Sequence, residues 1–170
     1  MNICLTKMTK DLCRTFMQEF VPDIDLFENP NAYKPYVYDQ HGCDAYFERH
    51  QRLGRIHMAI MLGSEPIGEI VLKNIDFGRK CCTMGITMKN DTYKGKGYGT
   101  QGEILAIDYA TKTLGLETVY ADALIHNTRS QHVLEKVGFT KTHQDKTFVY
   151  FRYDKSKQDS RNQTVHTSVD

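Results

Sequence analysis

Between residues 95 and 99 glycine recurs at every second position, in Tyr93-Lys94-Gly95-Lys96-Gly97-Tyr98-Gly99-Thr100. The stretch follows three strand-like runs and opens a helical pattern carrying Ile104, Ile107 and Leu114, ended by Gly115 at a C′ position. Glycines so placed let the backbone turn tightly and remove the Cβ atoms that would hold a ligand away from the amides. The bared N–H groups and the positive end of the helix dipole favour phosphate, and Lys94 and Lys96 add charge beside them. Two other phosphate loops do not fit. The nucleotide-hydrolysing loop needs GxxxxGK followed by Ser or Thr, and Gly63 to Gly68 has the glycine spacing but runs into Glu69. The dinucleotide loop belongs on the first strand of a parallel unit, with an acidic residue about 20 positions on. Asp122 lies at a suitable distance, but here the glycines follow a meander in mid-chain.

The elements around the loop are read from periodicity and turn chemistry. A strand over Asn2 to Met8 precedes a helix capped by Thr9, with Leu12, Phe16 and Phe20 four apart on one face and an end before Pro22. From Asp23 to Gly42 the chain is irregular and aromatic-rich, a kind of segment that often covers a ligand site. A second helix is expected over Asp44 to Leu53, then strands over Ile56 to Leu62, Ile67 to Asn74 and Cys81 to Lys89, joined by turns at 63–66 and 76–79. Beyond the glycine loop and its helix come a strand over Thr118 to Leu124, a helix capped by Asn127 and ended by Gly138, and a last strand over Phe148 to Tyr153. The order predicts an α/β (α+β) fold, a mixed but mostly antiparallel central sheet flanked by about four helices. One domain over residues 1–155 and a mobile polar tail over 156–170 are expected.

Lys plus Arg, 22, nearly balances Asp plus Glu, 21, so no global field draws nucleic acid or an anionic membrane, and neither is expected as a partner. The sequence shows no signal h-region and no apolar run of about 20 residues, which predicts a cytoplasmic protein. Five cysteines without a CxxC pair argue for reduced thiols and against a disulfide framework or a metal site.

Lys94 to Thr100 resembles the Q/R-x-x-G-x-G-A/G loop of the GNAT superfamily of acetyl-CoA-dependent N-acetyltransferases. A second block, Asn127-Thr128-Arg129-Ser130 through Glu135-Lys136-Val137-Gly138-Phe139, resembles the NxxSxxxxEKxGF helix of the branch that includes ribosomal-protein N-terminal acetyltransferases. The resemblance implies that acetyl-CoA is the cosubstrate and that the amides of Lys94, Gly95, Lys96, Gly97, Tyr98, Gly99 and Thr100 hold its pyrophosphate. It implies that the strand ending at Met88 pairs with the pantetheine arm, that a main-chain N–H near Met88 faces the oxyanion, and that Asn127 and Lys136 face the cofactor. The fourth and fifth strands would splay around the thioester. Lys94 departs from the motif's Arg or Gln, keeping a donor without a bidentate fork.

Acetyl transfer needs a neutral amine, an oxyanion donor and a proton for the departing thiolate. The tyrosine many family members use as acid is replaced by Leu134, which leaves Ser130 as the candidate hydroxyl, with Tyr98, Tyr120 and Tyr150 as substitutes. The fourth strand carries no carboxylate, so Glu69 and His126 are the candidate bases. The acceptor is expected to be a primary amine, on a small molecule or a peptide N-terminus, bound against Asp23, Asp25, Glu28, Tyr33, Tyr36 or Tyr38 by a monomer or homodimer. A non-catalytic acyl-CoA-binding module is the competing reading.

Overall fold

A computed structural model of the chain describes residues 2–157. Seven strands form one sheet in the order β1-β2-β3-β4-β5-β7-β6: β1 Ile3–Lys7, β2 Ile56–Leu62, β3 Glu65–Asp76, β4 Cys81–Met88, β5 Thr118–Leu124, β6 Thr140–Gln144 and β7 Phe148–Asp154. Every pairing is antiparallel except β4 with β5. Four α-helices accompany the sheet: α1 Lys10–Gln18, α2 Gln40–Arg52, α3 Tyr98–Asp108 and α4 Thr128–Lys136. The mixed, mostly antiparallel architecture is the one expected.

Alternation along the strands divides the core between the two faces of the sheet. On one face Ala59 and Met61 meet Cys13, Phe16 and Met17 of α1 and Cys43 of α2. On the other, Ile60, Ile70, Leu72 and Met84 pack with Ala106 and Ile107 of α3 and Leu134 of α4. Each large apolar side chain so buried contributes about 1.5–3 kcal/mol. Local chemistry sets the helix ends. Thr9 Oγ1 accepts from Leu12 N–H at 3.2 Å to start α1. Asp39 Oδ2 accepts from Gly42 N–H at 2.7 Å, so α2 begins at Gln40, four residues before the expected start. Arg14 clamps Asp44 with two hydrogen bonds, 2.8 and 2.7 Å, and ties α1 to α2.

Two expectations are corrected. The strand β6 lies outside the expected set, because its five residues are all exposed and show no apolar alternation; backbone pairing to β7 alone makes it a strand. In α3, Ile104 is 46 % exposed, and the buried face is formed by Gly102, Glu103, Ala106 and Ile107. The helix then widens into a π turn over Tyr109–Thr113 before Gly115, at φ +69°, ends it. The tail expected over 156–170 lies, from Gln158 onward, outside the described residues. Among the described residues no helix is long and apolar enough to cross a membrane.

Candidate active site

The sheet opens where β4 leaves β5. Their parallel pairing covers only Cys81 with Thr118, Cys82 with Val119 and Thr83 with Tyr120, and beyond these the strands diverge. Two cavities occupy the divergence. One, about 270 Å³, is lined by Met84, Gly85 and Ile86 of β4, by Ala121 to Leu124 of β5, and by Asp25 and Glu28 of the 23–29 segment. The other, about 300 Å³, runs from Ile86, Thr87 and Met88 past Gly95, Gly97, Gly99 and Thr100 to Lys136. Both are walled by Leu26, Ile86, Glu103, Asn127 and Ser130, which mark the junction between them.

The glycine loop adopts the conformation its sequence demands. Gly95 and Gly97 stand at φ +72° and +82°, where an L side chain would be strained. The first α-helical bond of α3 runs from Gln101 N–H to the Gly97 carbonyl at 3.0 Å. The amides of Tyr98, Gly99 and Thr100 precede it and are left for a ligand. An N-terminal helix turn opening on a cavity is a site for phosphate oxygens, and the residues present fit the pyrophosphate of CoA. The Cys13 and Cys43 sulfurs lie 3.8 Å apart as free thiols on the other face of the sheet.

Lys94 plays a different part from the one its sequence position suggests. Its Nζ lies 2.6 Å from Asp23 Oδ2 and 2.6 Å from Asp91 Oδ1, and its own N–H donates to the Asp91 carbonyl. Arg129 reaches the same Asp23 oxygen at 2.7 Å. Burial would raise the Asp23 carboxyl; the hydrogen bond from Lys94, helped by the Asp25 amide and the charge of Arg129, carries it below its ordinary value. Lys94 therefore fastens the 23–29 segment to the loop, and its amide is not open to phosphate. Lys96 is exposed and lines neither cavity, and the Tyr98 ring packs against the core.

Asn127 caps α4, its Oδ1 accepting from Ser130 N–H at 3.0 Å, while it also walls both cavities. The same cap sets Ser130 at the junction. Met88 and Lys136 line the second cavity. Glu69 and His126 are not brought to either. Glu69 is buried on the α1–α2 face, where Tyr46 donates to it at 2.7 Å and His57 Nε2 lies 2.8 Å from its other oxygen. His126 is exposed at the mouth of the turn into α4. Sequence reasoning missed Glu103, 2 % exposed, whose Oε2 has no hydrogen-bond partner. Burial pushes its carboxyl up to about 8. Its spacing of four from both Gly99 and Ile107 was the signal: that face of α3 turns inward.

Among the described residues no group of three His, Cys, Asp or Glu side chains is placed to hold a metal ion. No curated protein matches the chain. Solved structures share the fold. A spermidine N-acetyltransferase chimera from Vibrio cholerae SpeG and hSSAT superposes with a TM-score of 0.73 at 15 % identity, covering 92 % of this chain and 98 % of that one. A putative acetyltransferase from T. thermophilus gives 0.75 at 18 % identity, covering 100 % and 95 %. The Vibrio cholerae spermidine N-acetyltransferase in complex with CoA and spermine gives 0.72 at 16 % identity, covering 91 % and 96 %. Over residues 2–140 the sequence matches the model of the acetyltransferase (GNAT) domain, and the chain belongs to that family of acetyl-CoA-dependent acetyltransferases.

Proposed function

We propose that this enzyme moves acetyl from acetyl-CoA to a primary amine of a small, cationic, polyamine-like acceptor, by direct attack in a ternary complex. One observation carries this reading: the cavity beside the strand gap is lined by the carboxyl groups of Asp25, Glu28 and Asp122 against the single cation of Lys73. Such a lining attracts ammonium groups remote from the reacting nitrogen and leaves that nitrogen free to act in its neutral form. The similar Vibrio cholerae enzyme, seen in complex with CoA and spermine, binds a molecule of this chemistry.

In this reading the amides of Tyr98, Gly99 and Thr100 hold the pyrophosphate, with Gly95 and Gly97 shaping the turn and Lys136 supplying charge. The β4 backbone near Met88 aligns the thioester and donates to its oxyanion, a contribution typically worth about 3 kcal/mol. Asn127 holds Ser130 at the junction. The block from Asn127 to Phe139 supports a second reading, in which a peptide N-terminus is the acceptor.

The test is release of free CoA thiol from acetyl-CoA with spermidine, spermine, an aminoglycoside and a short peptide with a free N-terminus. Polyamine-dependent release, with the peptide slower by at least tenfold, is expected. Peptide-selective release would transfer the assignment to the second reading. Binding of acetyl-CoA without release by any of these amines would favour the non-catalytic module.

A further inference from the structure

The departing thiolate needs a proton, and the tyrosine expected on α4 is absent: Leu134 stands there, buried in the core. Ser130 alone does not solve this. A hydroxyl that gives up its proton becomes an alkoxide, far more basic than a thiolate, unless another group refills it at once. The junction holds one other group with a transferable proton. Glu103 projects from the second turn of α3 into the wall shared by both cavities, beside Ile86, Asn127 and Ser130. It is 2 % exposed, its Oε2 lacks any hydrogen-bond partner, and no ion pair to it exists among the described residues. A buried carboxyl left unpartnered on an otherwise apolar helix face is costly for folding unless it stays protonated or serves a ligand.

We infer that Glu103 is the general acid of the transfer: its carboxyl O–H supplies the proton taken up by the CoA sulfur. As the amine nitrogen bonds to the acetyl carbon and the C–S bond breaks, the electron pair of that bond goes to sulfur. The Glu103 proton follows it, directly or across the Ser130 hydroxyl. The carboxylate left behind regains a proton from the new amide's nitrogen, which sheds one on forming, through water in the first cavity. Protons balance: one leaves the amine and one reaches the thiol.

The upward displacement of the carboxyl, caused by burial, suits the task, because an acid close to an ordinary thiol in strength, about 8.5, transfers its proton with little loss of driving force. The charged and titratable groups that share its cavities are Lys73 of β3, Asp122 of β5, Asp23, Asp25 and Glu28 of the 23–29 segment, Tyr93 and Lys94 ahead of α3, and Arg129, His132 and Lys136 of α4. None of them is the source of the displacement, which burial alone produces.

The inference rests on acetyl transfer at this site and holds whichever amine is accepted. Two measurements on the full chain test it. First, Glu103→Gln is expected to lower kcat by about 10²-fold, with the KM for acetyl-CoA within about threefold, and to remove the fall of wild-type kcat above about pH 8. A variant that keeps wild-type kcat and its alkaline limb overturns the assignment. Second, infrared difference spectra of the wild-type protein and of Glu103→Gln, with and without CoA and recorded from about pH 6 to about pH 9, need no turnover. A protonated carboxyl band present at neutral pH, perturbed by CoA and missing from Glu103→Gln, is expected. Its absence at neutral pH overturns the proposal. A failed amine screen beside a positive band would count against the acceptor reading alone.

Discussion

Glu69 and Glu103 are both buried glutamates in one small domain, and the sheet lies between their surroundings. Glu69 is spoken for: Tyr46 and His57 meet its two oxygens, and the ring of His50 lies against that of His57, tilted by 36° with centroids 4.4 Å apart. Glu103 faces cavity on one side and aliphatic core on the other. Sequence alone offers Glu69, beside His126, as a candidate base, since a strand carboxylate near the expected site is the more visible of the two buried glutamates. The contrast teaches that burial is shared by structural and reactive carboxylates, and that the difference lies in whether the protein itself completes the hydrogen bonds.

The largest effect that could break this contrast is expected at Glu69. Replacing it with Leu leaves the Tyr46 hydroxyl and His57 without a partner in the core, a loss of about 2–4 kcal/mol. Thermal unfolding should fall by about 5–10 °C. Turnover by the folded fraction should stay within about threefold; a loss of turnover comparable with that of Glu103→Gln would show that the two glutamates do not differ in kind.

A smaller effect concerns alkaline stability. The folded value of Glu103, about 8, lies above its ordinary 4.5, so the contribution of its protonated form is complete below about 4.5 and is lost as pH rises through about 8. The melting temperature of the wild type should therefore drop between about pH 5 and about pH 8.5, by more than that of Glu103→Gln measured in parallel. Equal slopes would mean that Glu103 ionises as freely in the folded protein as in the unfolded one.

The smallest effect lies on the acid side of the other cluster. Burial, aided by the neighbouring His57, lowers His50 to about 4 from 6.5, so the folded protein takes up this proton later than the unfolded chain does. Stability should decline as pH falls through that window, and His50→Leu should flatten the decline by on the order of 1–2 kcal/mol. Denaturant midpoints at about pH 7 and about pH 4.5 would show it, and an unchanged difference would place the acid sensitivity elsewhere.

The glycine loop was legible because its conformation depends on the missing Cβ atoms at Gly95 and Gly97, a property written in the residues themselves. The helix caps at Thr9 and Asn127 were legible for the same local reason. Lys94 was not, because its partner Asp23 lies 71 residues away and only the fold brings them together. Glu103 escaped because Ile104, its neighbour, reads as the apolar residue of the pair; which of two adjacent helix residues turns inward depends on how α3 rolls against β3 and β4, and that roll is a property of the assembled sheet. The strand β6, with no apolar residue on either side, leaves nothing for periodicity to find.

The early parting of β4 from β5 has a consequence for solubility. A strand that loses its neighbour after Thr83 presents main-chain donors and acceptors as any sheet margin does, and such margins recruit strands from other molecules. Here the margin is interior, screened by α3, α4 and the 23–29 segment. A slender ligand carrying its own amides can lie along it, while a second polypeptide, with side chains on both faces, meets those walls first. The outer margin at β6 is guarded differently, by five exposed residues with no apolar side chain among them. The fold thus walls in the margin inside the sheet and blunts the one at β6 against its own kind.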